Sequence, residues 1–415
     1  MSAHTKPAAT RTDEPLAIAG GKPLRSKPFA PWPVFDSDEI EAATAVLHSG
    51  RVNYWTGEQG AIFERVFASF TRRSYAVALA NGSVALELAL HALEIGPGDE
   101  VIVPSRSFIA SASCVTLRGA KPVFSDVDAE SGNITAETIR PHITPRTRAI
   151  IVVHLAGWPC DMDPIRVLAR EHKLKIIEDC AQAIGASYRG SPAGSFGDAA
   201  AFSFCQDKII STGGEGGMLV MDNEEVWKRA WSYKDHGKDY DASHQAATRP
   251  GFRWLHASAG TNWRMTEMQS AMGCVLLRKV DERVATRNRH AAVLANGMAA
   301  IPGLRVPLPP PHTTHAYYKF YAFVRPEKLQ PGWDRDRILA AVTAEGIPCF
   351  EGSCSEIYRE QAFAGAAVER LPVARALGET SLMFLVHTTL TEDDMYDTVR
   401  AVAKVMAVAA RDWKP

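Results

Sequence analysis

The chain of 415 residues has no CxxC pair, and its seven cysteines are an odd number. That combination makes neither a disulfide framework nor a zinc site. Charge of one sign is not in excess: 46 basic against 47 acidic residues leave a formal net charge of -1, which gives no electrostatic hint of a nucleic-acid partner. Long apolar runs are missing too. The most apolar window, Tyr75 to Leu93, contains Asn81, Gly82, Glu87 and His91, which the middle of a membrane helix does not readily accept. The first fourteen residues are polar with no apolar stretch, so no secretory signal is expected. Internal repeats and low-complexity tracts are absent. What remains is a composition of 46% hydrophobic and 22% charged residues, that of a soluble globular protein. A cytoplasmic chain of two or three domains is expected.

Periodicity gives the organisation. Residues 1–14 are expected to be disordered, and residues 15–35, rich in proline and glycine, to form an extended arm. A helix capped by Asp36 and Glu39 runs to Ser49 and stops at Gly50. After a loop with two adjacent aromatics, Tyr54 and Trp55, a helix with Phe63 and Phe67 on one face follows. From Tyr75 short apolar runs alternate with helical stretches, which predicts an α/β fold: a largely parallel sheet with helices on both faces. The polar segment from Asp235 to Gly260 reads as a loop or lid. Residues 264–299 read as one long helix with Met265, Met268 and Met272 in its core-facing stripe. Five prolines between Pro302 and Pro311 mark a boundary. Beyond it a strand over Tyr317–Val324, a helix over Arg335–Ala344, a strand over Met383–Val386 and a last helix capped at Thr391 predict a small α+β domain. The predicted divisions are thus 1–35, 36–300 and 301–415.

The stretch from Ile176 to Val220 carries the chemistry. Asp179 ends one apolar run and Lys208 follows another, before the turn Gly213-Gly214-Glu215-Gly216-Gly217. Charged residues at the carboxyl ends of strands are where open α/β folds place ligands. A lysine amine can hold an aldehyde cofactor as a Schiff base, and pyridoxal phosphate needs an acid at its ring nitrogen. An aspartate and a lysine at that spacing also occur as plain surface charges. Four neighbours add context: Gln182, Ser203, the helix-opening Asn81-Gly82-Ser83, and Phe108 in Ser105-Arg106-Ser107-Phe108.

Together these motifs resemble the DegT/StrS family of sugar aminotransferases, pyridoxal-phosphate enzymes of fold type I, from about Pro28 to the carboxyl terminus. The resemblance implies a large cofactor-binding domain over 36–300. It implies that Lys208 bonds the cofactor and then shuttles a proton, for which burial would favour the neutral amine. Asp179 pairs with the ring nitrogen, Gln182 lies near the ring, and Phe108 packs on one ring face. Gly82, Ser83 and Ser203 bind the phosphate. The chain has Asn-Gly-Ser where many relatives have Ser-Gly-Thr. Asn262, in Asn262-Trp263-Arg264-Met265, matches an asparagine that serves the neighbouring subunit's site, so a homodimer with shared sites is expected. The plainer readings are that Ser83 and Asn262 cap their own helices and that Phe108 fills core. Because Lys208 is a lysine, the histidine-bearing sugar dehydratases of the family are disfavoured. Tyr54, Trp55, His154, Trp158, His315, Tyr317 and Lys319 are candidate substrate walls, and His236-Gly237-Lys238 could approach an acceptor's phosphates. The activity implied is amino transfer from L-glutamate to a keto sugar, most often nucleotide-linked. A keto-cyclitol acceptor, or a non-catalytic cofactor-bound regulator, are the alternatives.

Overall fold

A computed structural model describes residues 14–245, 251–365 and 368–413. The disorder expected for residues 1–13 and part of the 235–260 loop lie outside them. Seven runs form one sheet: β1 (Tyr75–Leu79), β2 (Glu100–Pro104), β3 (Lys121–Ser125), β4 (Thr147–Val153), β5 (Lys175–Asp179), β6 (Ala199–Ser203) and β7 (Gly217–Met221). The order is β1-β7-β6-β5-β4-β2-β3. Only β7 is antiparallel to its neighbours β1 and β6; the other pairs are parallel. Both faces are covered, which explains unbroken apolar runs such as Ile150-Ile151-Val152, all buried. Val77, Val101, Ile151 and Leu219 face α3 (Gly82–Ala92) and α4 (Ala110–Leu117); these follow α1 (Ser37–Ser49) and α2 (Gln59–Phe70) in the chain. On the other face Ala78, Phe202 and Val220 meet Phe63 and Phe67 of α2, while Ile150 and Ile176 meet α5 (Met162–Glu171).

The local signals work as expected at α1, where Asp36 and Glu39 cap reciprocally and Gly50 takes a left-handed φ of 67°. Helix α6 (Glu224–Lys234) follows β7. The single long helix expected over 264–299 is two, α7 (Glu267–Leu277) and α8 (Val280–Met298), broken at Arg278-Lys279. The apolar stripe continues through the break (Leu276, Val280 and Val284 are all buried), so periodicity could not reveal it. Lys279 at the break reaches Asp36, Asp38 and Glu39 at the start of α1, at 2.7 to 3.0 Å.

A second sheet, β8 (Leu304–Arg305), β9 (Phe320–Val324), β10 (Cys349–Phe350) and β11 (Ser381–Phe384), runs in the order β8-β9-β11-β10, all antiparallel. Its core is shared with the carboxyl half of α8, with α9 (Arg335–Ala344) and with α10 (Glu392–Ala409). The strand expected from Tyr317 starts only at Phe320, because Tyr317 is held in the left-handed region at φ 45°. The arm is extended except for one 3-10 turn, Ala17–Ala19. Leu16, Leu24 and Phe29 lie on the second core, and Arg25 reaches Asp394 and Asp397, each at 2.7 Å.

Candidate active site

The site starts with a steric demand. The chain leaving β1 passes over the end of β7 to reach β6. A Cβ at Gly217 would stand 2.4 Å from the Asn81 carbonyl, and one at Gly82 would stand 2.7 Å from the Ser203 Cβ. Two missing side chains let the start of α3 sit on the end of β6. Asn81, not Ser83, caps this helix: its side chain accepts the Val84 N–H at 3.0 Å. Ser83 is left exposed in the first turn, while Ser203 is buried, its Oγ accepting the Cys205 N–H at 3.3 Å. Gly82, Ser83 and Ser203 thus meet where the helix dipole favours an anion.

Asp179 ends β5 almost fully buried. Its Oδ2 accepts the Ser111 hydroxyl at 2.7 Å, and Oδ1 accepts the Ala181 N–H at 3.1 Å. Burial pushes its pKa up, against those bonds and the Lys208 charge. Gln182 is also buried, with Oε1 accepting the Ala156 N–H at 2.7 Å. Phe108 is 65% exposed although Ser107 beside it is buried, so the core-filling reading is wrong.

Lys208 follows β6. Its carbonyl accepts the Trp32 indole N–H at 3.0 Å, and its Nζ lies 3.4 Å from the Tyr318 hydroxyl and 3.6 Å from Asp207 Oδ1. The Tyr318 hydroxyl donates in turn to Asp207; burial and that carboxylate push its pKa up, so it keeps its proton. Trp32, Ser111, Asp207 and Tyr318 went unnoticed in the sequence. Trp32 alone carried a local signal, as an aromatic inside a proline-rich arm, but nothing said what it would touch.

Several candidates fall elsewhere. His154 is 0% exposed and is not an open wall. Its Nδ1 accepts the Cys160 N–H at 3.0 Å, so the ring proton sits on Nε2 and is shared with Glu178 at 3.0 Å. Glu178 also accepts the N–H groups of Gly194, Phe196 and Gly197 at 2.7 to 2.8 Å, which makes the pair a buried clasp beneath Asp179. The half-buried Tyr54 donates its hydroxyl to Glu64 at 3.0 Å, with the Lys234 amine 4.0 Å above the ring, so a polar knot fixes its orientation. Trp55, by contrast, is 40% exposed; its indole N–H reaches Asp235 at 2.7 Å, and Lys238 lies 4.1 Å over its ring.

Asp235 pairs through backbone with Asn262, which is exposed. Asn262 does not cap α7; Thr266 does, in a capping box with Gln269. The strand-like run after Asn262 flanks the outer edge of β1, where Arg264 bridges Leu79. That lies three strand spacings from β6, roughly 14 Å. Trp158, His315 and Tyr317 line a cavity on the other side, with His315 stacked on Tyr317 at 3.8 Å. Lys319 lies beside Tyr318, its amine 4.8 Å from that ring.

A buried carboxylate, a lysine and a helix-end anion cradle at the ends of neighbouring strands fit a phosphorylated, aldehyde-bearing ring cofactor. The comparisons agree with that chemistry. The solved structure of an aminotransferase from Psychrobacter cryohalolentis superposes with a TM-score of 0.90 at 51% identity, covering 92% of this chain and 99% of that one. GDP-perosamine synthase of Caulobacter vibrioides is 39% identical over 83% of this chain and 89% of its own. An L-glutamine:2-deoxy-scyllo-inosose aminotransferase of Streptoalloteichus tenebrarius is 34% identical over 94% and 97%. The pattern defining the DegT/DnrJ/EryC1/StrS aminotransferase family matches residues 33–403, and the chain belongs to that family.

Proposed function

We propose that the protein transfers an amino group from L-glutamate to a keto sugar carried on a nucleotide, in two half-reactions at one site, as a cytoplasmic enzyme. The observation that carries this is the convergence of Lys208, Asp179 and the Gly82–Ser203 cradle. Pyridoxal 5'-phosphate, when bound, supplies an aldehyde for the amine and a ring that takes up the electron pair left by a departing proton. The Lys208 amine would hold that aldehyde and, when free, would carry the proton between carbon atoms. Asp179 keeps the ring nitrogen protonated, and Ser111 and the Ala181 N–H hold its carboxylate in place. Ser83, Ser203 and the amides at the start of α3 hold the phosphate. Phe108 covers one ring face, and Gln182, fixed by Ala156, bounds the ring. Asn262 reaches the phosphate of a second copy's site, which makes the homodimer the active unit. On the same reading residues 36–300 carry the cofactor, 301–415 form a small domain, and 1–35 are an arm. The cyclitol alternative is favoured by one observation, that relatives named as scyllo-inosose aminotransferases cover 94% of the chain.

Lys208→Ala tests the reading. The expected result is a folded protein whose absorbance no longer responds to L-glutamate and which has no turnover. Borohydride reduction of the cofactor-loaded wild type, followed by peptide mapping, should label Lys208. Full activity in the variant would rule the assignment out. Screening the aminated form against nucleotide-linked keto sugars and keto-cyclitols separates the two acceptor classes.

A further inference from the structure

Arg106, two residues before Phe108, has no part in the reaction as described. It is 1% exposed, yet only Nη1 of its guanidinium donates, to Ser355 Oγ at 2.7 Å. Its Nε and Nη2 have no partner among the described residues. The side chain lines the cavity bounded by Gly132, Trp158, His315, Tyr317 and Tyr321. The Tyr321 ring lies 5.4 Å from the guanidinium, and a Cβ at Gly132 would touch Nε at 3.7 Å and crowd Leu155 at 3.2 Å, so a side chain there would narrow the cavity beside the guanidinium. Glu130, at the same cavity, is taken by Arg305 at 3.1 Å. Burial takes the pKa of His315 down to about 3, so that ring stays neutral.

The cavity adjoins the proposed catalytic groups through two walls. Ala156 donates its N–H to Gln182, and Tyr317 precedes Tyr318, whose hydroxyl meets Lys208. A buried guanidinium with unmade donors is costly. A planar fork of N–H groups is the geometry that a carboxylate answers with two parallel bonds. Ser355 answers only one arm of that fork, and the other edge stays unpaired among the described residues.

We propose that Arg106 receives a substrate carboxylate through this cavity. The proposal rests on the aminotransferase reading. The carboxylate belongs either to the amino donor or to an acidic acceptor sugar of the uronic type, and the arms of the test separate the two.

The test uses cofactor-loaded protein and calorimetric titration. Glutarate carries the donor's carboxylates without its amine; UDP-glucuronate and UDP-glucose differ by one carboxylate. Arg106→Met keeps the reach of the side chain and removes its charge. Binding of glutarate, if the donor is the source, is expected to weaken by about tenfold or more. If the acceptor is the source, UDP-glucuronate weakens by that factor and UDP-glucose is unchanged. The Met variant should melt no lower than wild type without ligand, since replacing a buried unpaired charge by an apolar side chain is often neutral or stabilising. Ser355→Ala, which removes the one protein bond, should keep both affinities within about twofold. Affinities within twofold of wild type for both carboxylate probes in Arg106→Met overturn the proposal. So does an equal loss in Ser355→Ala, or a wild type that binds neither probe. Should Arg106→Met fail to fold, Arg106→Lys, which keeps the charge and loses the fork, is read on the same probes with the same thresholds. The absorbance response of wild type to L-glutamate is scored separately, so that amino transfer can stand while the role of Arg106 falls.

Discussion

Lys319 shows how a single residue can store a pH dependence beside Lys208. Burial depresses its pKa to about 8, Asp207 pulling it back up while Arg287 and Lys208 push it further down. A lysine in the unfolded chain titrates near about 10.4. Between those values the unfolded chain holds a proton that the folded chain has released, so stability rises with pH across that window. Below about pH 8 the cost of the buried charge is fully present, about 3 kcal/mol from the size of the shift. Lys319→Met is therefore expected to raise Tm at pH 7 and to flatten the gain that wild type shows from pH 8 towards 10. Thermal melts at four pH values measure both. An unchanged slope would mean that the amine is solvated and titrates normally.

At the scale of elements, the cradle depends on the crossing of the β1–α3 turn over the end of β7. A Cβ at Gly217 would meet the Asn81 backbone at 2.4 Å, whereas one at Gly82 would meet the Ser203 side chain at 2.7 Å. A backbone on both sides cannot yield, so Gly217→Ala should be the costlier change, at about 1–3 kcal/mol or more for overpacking. Because the clash lifts the start of α3 off β6, cofactor affinity should fall along with stability. Melting without cofactor and absorbance titration with it check the two effects. A variant that lost stability and kept full affinity would show that the cradle does not hold the phosphate. The same element logic explains the clasp under β5: Glu178 ties β4, through His154, to the 194–197 turn, and so fixes where Asp179 emerges.

At the scale of the molecule, the arm joins both cores to the site. Glu345 accepts the N–H groups of Ala17 and Leu24 at 2.8 and 2.9 Å, and Trp32 then reaches the Lys208 carbonyl. Asn262, exposed beyond the β1 edge, is the residue on which the proposed homodimer turns. If it serves a second copy, mixing a Lys208→Ala chain with an Asn262→Ala chain puts both defects in one site of a mixed dimer and leaves the other intact. Random exchange gives about half mixed dimers, so activity near a quarter of wild type should return (a statistical estimate from concentration-driven assembly). No recovery, with exchange verified by mass spectrometry and the Asn262→Ala chain shown to be impaired, would exclude the shared site.

How much of this was legible in the sequence depends on distance along the chain. Strands β1 to β7, the Asp36–Glu39 and Thr391–Asp394 caps, and the placing of Asp179 and Lys208 just after apolar runs are local facts. They follow from side-chain periodicity and from amides that need partners within a few residues. Competition between neighbours was less legible: Asn81 displaces Ser83 as a cap and Thr266 displaces Asn262, because backbone angles choose among adjacent polar residues. Strand order was not legible at all. The sequence by itself determined the α/β class and the acid–lysine pair. Only the tertiary structure decided that Ser111 would hold Asp179, that Trp32 would hold Lys208, that His154 would be sealed under the sheet and that Arg106 would face a cavity. The physical reason is that these contacts are made across strands that are not consecutive in the chain, where burial of both sheet faces sets the neighbours and no spacing in the sequence encodes them.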